Sequence, residues 1–130
     1  MVMSLSQATD LVSSAVANHQ KRVAYIACCL AQKMGFDRDQ RNHILMAGAL
    51  HDVGALSLSE RLNALSFEVE QPLVQAHAQV GARLLRTFPL FAGLATSVEH
   101  HHCQFIGAGS DVPKAAHLLH LSDRVDVILD

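Results

Sequence analysis

The sequence has no tryptophan and one tyrosine, and its three cysteines and three prolines are few for 130 residues. Cys28 and Cys29 are neighbours, and in one helix adjacent side chains diverge, so a disulfide framework is excluded and reduced thiols are expected. No run approaches the roughly 18 to 20 consecutive apolar residues of a membrane span. Met1 to Ala8 lacks the charged and apolar regions of a secretory signal, which makes the cytoplasm the expected compartment. Ten Lys and Arg against twelve Asp and Glu leave a formal charge of −2 and no net basic field, which excludes duplex nucleic acid as the expected partner but leaves a small anion open. There is also no internal repeat, low-complexity tract or linker, so residues 1–130 are expected to form a single domain.

What is present is apolar content and histidine: half of the residues are hydrophobic, enough for one core, and nine are His. The apolar spacing predicts an all-α, compact bundle of five or more helices. Val12, Val16, Val23, Ile26, Leu30 and Met34 mark a long helix from about Gln7 to Met34, stopped by Gly35. A second helix opens at Asp37, with Ile44, Ala47, Leu50 and His51 on one stripe, and stops at Gly54. Residues 55–66 show no long period and are expected to hold at most a turn or two of helix. Pro72 begins a third helix whose face is Leu73, His77, Val80, Leu84 and Phe88, ended by Pro89. A fourth is expected from about Leu90 to His102, then a loop over Gly107 to Asp111 and a fifth helix from Pro113 through Leu129.

The informative residues are those that interrupt the apolar stripes. His19, His51 with Asp52, His77, one or two of His100 to His102, and Asp123 all fall on inward faces. One inward histidine is ordinarily satisfied by a backbone carbonyl or a water. Five inward histidines and two inward aspartates would each cost several kcal/mol without a common partner, whereas a central cation satisfies all of them. A nitrogen and carboxylate set without Cys suits Fe, Mn, Zn, Ni or Co, and seven ligands exceed a structural zinc site. Two divalent transition-metal ions bridged by Asp52 would use the set fully, and such pairs serve phosphoester hydrolysis.

The ordered motifs NHQKRVAYIA with His19, HDVG with His51 and Asp52, AHAQVGARLL with His77, VEHHH with His101 and His102, and LSDRVDVIL with Asp123 resemble the HD phosphohydrolase superfamily. They are most similar to its HD-GYP subgroup, the bacterial cyclic di-GMP phosphodiesterases. The resemblance runs from about His19 to the C-terminus and implies metal ligation by His19, His51, Asp52, His77, His101, His102 and Asp123, with Asp52 as bridge and catalytic residue. The resemblance also places an apolar residue three before the His-His pair, and Val98 in that position selects the His101-His102 register and leaves His100 out. It implies further a metal-dependent phosphodiesterase acting on a small anionic nucleotide, with cyclic di-GMP a candidate.

Departures are equally specific. Ala55 replaces the lysine expected after HDxG, Cys103 the glutamate after the His-His pair, and His117 an arginine near the start of the last helix. Ser110-Asp111 stands where Tyr-Pro would complete the signature loop, and Ala15 where some members place a carboxylate for a third metal. Two readings therefore stay open: an active phosphodiesterase, or a metal-binding signalling module that binds nucleotide or a protein partner, or itself as a homo-oligomer. Because such proteins usually continue past the Asp123 helix, the chain is either a minimal version or a fragment. Other features have structural readings: Cys28-Cys29 as packing, Arg83, Arg86 and Lys114 as a solvated face that could meet phosphate, and Cys103 as a neighbour of the ligand pair.

Overall fold

A computed structural model of the protein describes residues 18–55, 71–106, 109 and 111–129, with the backbone alone for 71–74. Among these residues every regular element is helical, as expected: α1 (His19–Lys33), α2 (Arg38–Leu50), α3 (Gln71–Arg86), a 3₁₀ turn (Ala92–Leu94), α4 (Ala95–Glu99) and α5 (Lys114–Leu129). Helix α1 packs on α2 and α5, and α3 packs on α4.

Among the described residues helix α1 begins at His19, where the periodicity predicted a helix already under way. Asn18 takes φ 63°, the left-handed region, and sets the start of the helix at His19. Asn tolerates that conformation better than most side chains, which is the physical reason for a start at this point of an otherwise periodic stretch. The expected stripe residues Val12 and Val16 lie outside the described residues. At the other end, Gly35 at φ 78° forms a Schellman stop: its N–H donates to the Gln32 carbonyl at 3.2 Å and that of Phe36 to Ala31 at 3.0 Å. Asp37 then starts α2 with a capping box, accepting from the Gln40 N–H at 2.8 Å while the Gln40 side chain accepts from the Asp37 N–H at 2.9 Å. A reciprocal stop and start thus turn the chain in a few residues and lay α2 back along α1.

Small residues set how closely the helices approach. A Cβ at Gly48 would stand 2.7 Å from the Ala24 Cα, so α1 and α2 touch backbone to backbone. A Cβ at Gly54 would stand 2.1 Å from the His77 carbonyl oxygen and 2.3 Å from the Gly81 nitrogen. The turn after His51 is therefore pressed onto α3, held by Val53 N–H to the Leu50 carbonyl at 3.0 Å and Ala55 N–H to that of Asp52 at 2.9 Å.

This contact corrects the expected face of α3. Val80, Leu84 and Phe88 are exposed, and the buried side is His77, Ala78, Ala82 and Leu85 with Gly81. Large apolar side chains there would hold the HDVG turn away, so the small residues face in. The fourth helix is also shorter than expected: the stretch from Leu90 is a turn and a 3₁₀ segment, α4 is five residues long, and His100 to His102 form the turn after it. The buried apolar cluster joins Ala27, Ile44, Leu50, Leu85, Val98 and Leu119, one or two from each helix. Ser97 is buried and pairs its hydroxyl with His43 Nε2 at 2.9 Å, tying α4 to α2. Cys28 is half-buried and Cys29 exposed, so the pair is not part of the core packing. The loop at Gly107 to Asp111 and residues 55–66 fall largely outside the described residues.

Gly54→Ala is expected to destabilise by about 3 kcal/mol or more, at or above the upper end of ordinary overpacking, because backbone and not a flexible side chain blocks the new methyl. Gly93→Ala, with nothing within 4 Å of its Cβ, should change stability by less than about 0.5 kcal/mol. Urea unfolding of the two variants beside the parent measures both; equal midpoints would contradict the close approach.

Candidate metal centre

The inward histidines and aspartates reach the interior from five parts of the chain. His19 opens α1, His51 and Asp52 follow α2, His77 lies on the inward side of α3, His101 and His102 sit in the turn after α4, and Asp123 lies in α5. All seven are at most 4% exposed. The structure brings them together as two groups of possible ligand atoms, within 4.8 Å of one another in each: Asp52, His77, His101 and His102 in one, and His19, His51 and Asp123 in the other.

Asp52 stands between the groups. Its Oδ2 lies 3.3 Å from His51 Nε2 and 3.8 Å from His19 Nε2. Its Oδ1 lies 3.1 Å from His77 Nε2 and 3.8 Å from His101 Nε2. Asp123 Oδ1 closes the second group at 3.2 Å from His19 Nε2 and 3.9 Å from His51 Nε2.

The tautomers follow from what the other ring nitrogen touches. His51 Nδ1 donates to the Gly48 carbonyl at 2.8 Å, His101 Nδ1 to the Val98 carbonyl, and His19 Nδ1 to the Asp126 carboxylate at 2.7 Å. Carbonyls and carboxylates only accept, so these Nδ1 atoms carry the protons, and in the neutral ring each Nε2 presents a lone pair inward. Nε2 of His19, Nε2 of His51 and Oδ1 of Asp52 are buried without a hydrogen-bond partner. Nε2 of His77 and Nε2 of His102 face one another at 3.0 Å. Converging lone pairs and orphaned buried acceptors are what a cation-binding set looks like, and the donors fit a divalent transition metal.

The electrostatics of the protein alone show the same demand for positive charge. Burial pushes the His19 imidazole down, yet the Asp123 and Asp126 carboxylates beside it and the charge of Asp52 carry it up to about 9. His51 is also raised, the Asp52 and Asp123 carboxylates outweighing burial. Burial would raise Asp52, but His51 and His77 hold it well below the usual carboxylate range. On the other side burial, with His77 next, drives His102 down to about 2, and burial with neighbouring histidines lowers His101. The carboxylates thus favour positive charge at His19 and His51, and burial with neighbouring histidines disfavours a proton at His101 and His102; divalent charge would meet both demands.

Sequence reasoning missed Asp126, the anchor of His19. It is buried, and Arg22 grips it from Nε at 2.6 Å and Nη2 at 2.9 Å. Burial works against its ionisation, but the bonds from His19 and Arg22 lower its carboxyl to about 2. The signal was present as spacing: Asp126 lies three after Asp123 and Arg22 three after His19, one turn along the same faces. Arg124 was missed as well; its Nε donates to Asp123 Oδ2 at 3.0 Å and its Nη2 contacts the same oxygen. His100 stays out of both groups, donating Nδ1 to the Thr96 carbonyl at 2.9 Å, and Cys103 belongs to neither. Arg86 pairs with Glu99 on the surface. His120 Nδ1 donates to the His101 carbonyl at 3.1 Å and supports that turn from behind.

Asp126→Asn should weaken metal affinity by about 10- to 100-fold, since it swaps the carboxylate that orients His19 for a neutral amide, and Asp126→Glu should restore part of the loss. Competition with a fluorescent chelator measures this; unchanged affinity in the Asn variant would contradict the assigned role.

The chain has relatives among known proteins. The chain is 27% identical over 129 residues to 3′3′-cGAMP-specific phosphodiesterase 1 of Vibrio cholerae serotype O1, covering 95% of this chain and 30% of that protein. It is 29% identical over 112 residues to 3′3′-cGAMP-specific phosphodiesterase 3 of the same organism, covering 84% of this chain and 24% of the relative. The chain thus spans less than a third of the length of these two curated relatives. No solved structure is significantly similar. The family model of the HD domain matches residues 16–128, nearly the whole chain and every residue of the two ligand groups, and the protein therefore belongs to the HD domain family.

Proposed function

We propose that the chain is the catalytic domain of a metal-dependent phosphodiesterase that opens a cyclic dinucleotide at a binuclear centre. The observation that carries the reading is the division of Asp52: one carboxylate oxygen faces His19 and His51, the other His77 and His101. A carboxylate so placed is suited to bridge two ions and to orient a water between them. His19, His51 and Asp123 would hold one divalent ion and His77, His101 and His102 the other. Paired ions of this kind polarise a phosphoryl oxygen and make water a usable nucleophile at neutral pH.

The chain's own contribution is positional. Asp126 and the Gly48 and Val98 carbonyls fix three imidazoles through Nδ1, so their Nε2 atoms need little reorganisation. Burial of the set keeps the dielectric low where charge develops on the phosphoryl oxygens. Ala55, buried at the position of the subgroup's lysine, cannot protonate the leaving oxygen, which assigns that proton to water. Substrate class follows the names of the relatives: 3′3′-cGAMP first, with cyclic di-GMP the alternative within the HD-GYP-like subgroup. Residues 1–130 are read as one domain of a cytoplasmic, bacterial signalling enzyme.

A second reading, a metal-binding signalling module without turnover, is favoured by one observation. The position where the subgroup has its lysine is Ala55, buried and apolar, which offers the site no acid or base.

Purified chain loaded with Mn or Fe should hydrolyse bis-p-nitrophenyl phosphate and convert 3′3′-cGAMP to a linear dinucleotide, followed by chromatography. Asp52→Ala should lower both rates by more than the roughly 10- to 100-fold that loss of an outer-shell partner costs. Full metal loading without turnover on either compound, or on cyclic di-GMP, would select the signalling module.

A further inference from the structure

Asp52 and Asp123 supply the two carboxylates of the ligand groups, and they are used differently. Both oxygens of Asp52 face histidines: Oδ2 stands 3.3 Å from His51 Nε2 and Oδ1 3.1 Å from His77 Nε2. Asp123 divides its oxygens between the inside and the outside of its group. Oδ1 lies 3.2 Å from His19 Nε2 and 3.9 Å from His51 Nε2. Oδ2 accepts from Arg124, whose Nε stands at 3.0 Å and whose Nη2 contacts the same oxygen.

Helix geometry does not offer this pairing by default. Consecutive side chains on α5 diverge by about 100°, so Arg124 has to fold back to reach its neighbour. It does so away from solvent: the Asp123 side chain is 3% exposed and that of Arg124 18%. A guanidinium with two donors on one oxygen withholds that oxygen from any other partner. It also sets a positive charge directly behind a carboxylate that faces a cation site, and at this depth like charges repel with little screening.

The other arginine of the group works in the opposite sense. Arg22 holds Asp126, and Asp126 accepts from His19 Nδ1, so that charge is spent on a carboxylate that strengthens His19 as a donor. Arg124 touches the candidate ligand carboxylate itself and takes donor strength away. Orientation does not depend on it, because Asp123 is 2% exposed on a helix that also buries Leu119 and Ser122, and burial already restricts its side chain.

We propose that Arg124 is a positioning residue that keeps Asp123 a one-oxygen ligand, so that the ion of the His19, His51 and Asp123 group is held less tightly and retains an open coordination position. On the phosphodiesterase reading that position is available to a phosphoryl oxygen. The inference rests on the metal-centre part of that reading and not on turnover.

Full-length protein freed of metal by chelation is titrated with Co²⁺ against a chromophoric chelator, and its visible d–d absorption is recorded. Arg124→Met should bind Co²⁺ more tightly than the parent by about tenfold, the scale on which partners of metal ligands act. Its absorption per bound ion should be weaker, because a carboxylate that closes with both oxygens raises the coordination number. Arg124→Gln, neutral but polar, should follow the Met variant, so the result does not hang on one fold. Arg124→Lys, which returns a cation to Oδ2, should stay near the parent on both counts. In an Asp123→Asn background Arg124→Met should change neither. Superimposable thermal melts of the metal-free proteins establish that the variants are folded. Weaker Co²⁺ binding in the Met and Gln variants with unchanged absorption would make Arg124 a structural support and overturn the inference, as would a change that persists without the Asp123 carboxylate. A parent that takes up no Co²⁺ sinks the metal centre and the inference with it, whereas a parent that binds Co²⁺ and is indifferent to Arg124 sinks the inference alone. The affinity and spectral shifts in a chain that hydrolyses no phosphodiester would sink the phosphodiesterase reading and leave the role of Arg124 standing.

Discussion

Everything in this molecule is arranged around the burial of one carboxylate among imidazoles. Asp52 is 3% exposed, and its two oxygens look toward different helices. A lone carboxylate so deep would be protonated or expelled. Here it is held ionised by histidines, and the histidines are aimed by carbonyls and by Asp126. The geometry of five helix segments follows from delivering those side chains to one point. Gly54 lets the turn that carries His51 and Asp52 lie directly on α3, where His77 waits. The short α4 ends early enough for two consecutive histidines to enter the same space from a turn.

Polarity is layered outward from that point. The candidate nitrogen and oxygen ligands stand innermost; Asp126, His120 and Arg124 hold or flank them, each through a hydrogen bond to a residue of the set. Arg22 holds Asp126 in turn. The apolar cluster of Ile44, Leu50, Leu85 and Leu119 lies beside the centre and fixes the helices that carry it. Packing and chemistry are therefore not separable here: close helix approach is what excludes water, and exclusion of water is what gives the charges their strength.

Much of this was legible in the sequence, for a definite reason. Polar residues on apolar stripes are costly, so His19, His51, Asp52, His77 and Asp123 announced themselves by where they fell, and the family resemblance, through Val98, selected His101 and His102. What failed to show is equally physical. Apolar periodicity weights large side chains, so it chose Val80 and Leu84 for α3, whereas the contact with Gly54 demanded Gly81, Ala78 and Ala82. The start of α1 at His19 is set by a single left-handed residue, Asn18, inside a periodic run, and is invisible to a pattern of spacing. Asp126 and Arg22 look like ordinary charges near helix ends until the partner across the bundle is known.

The central claim is that the buried histidines and aspartates form a divalent metal site with Asp52 shared between two ions. Metal-to-protein stoichiometry of the purified, reconstituted chain, measured by elemental analysis beside its Asp52→Ala variant, tests it most directly. The account predicts two tightly held ions per chain in the parent and at most one in the variant. A parent protein that retains no metal after reconstitution, or a variant that still holds two, would contradict it.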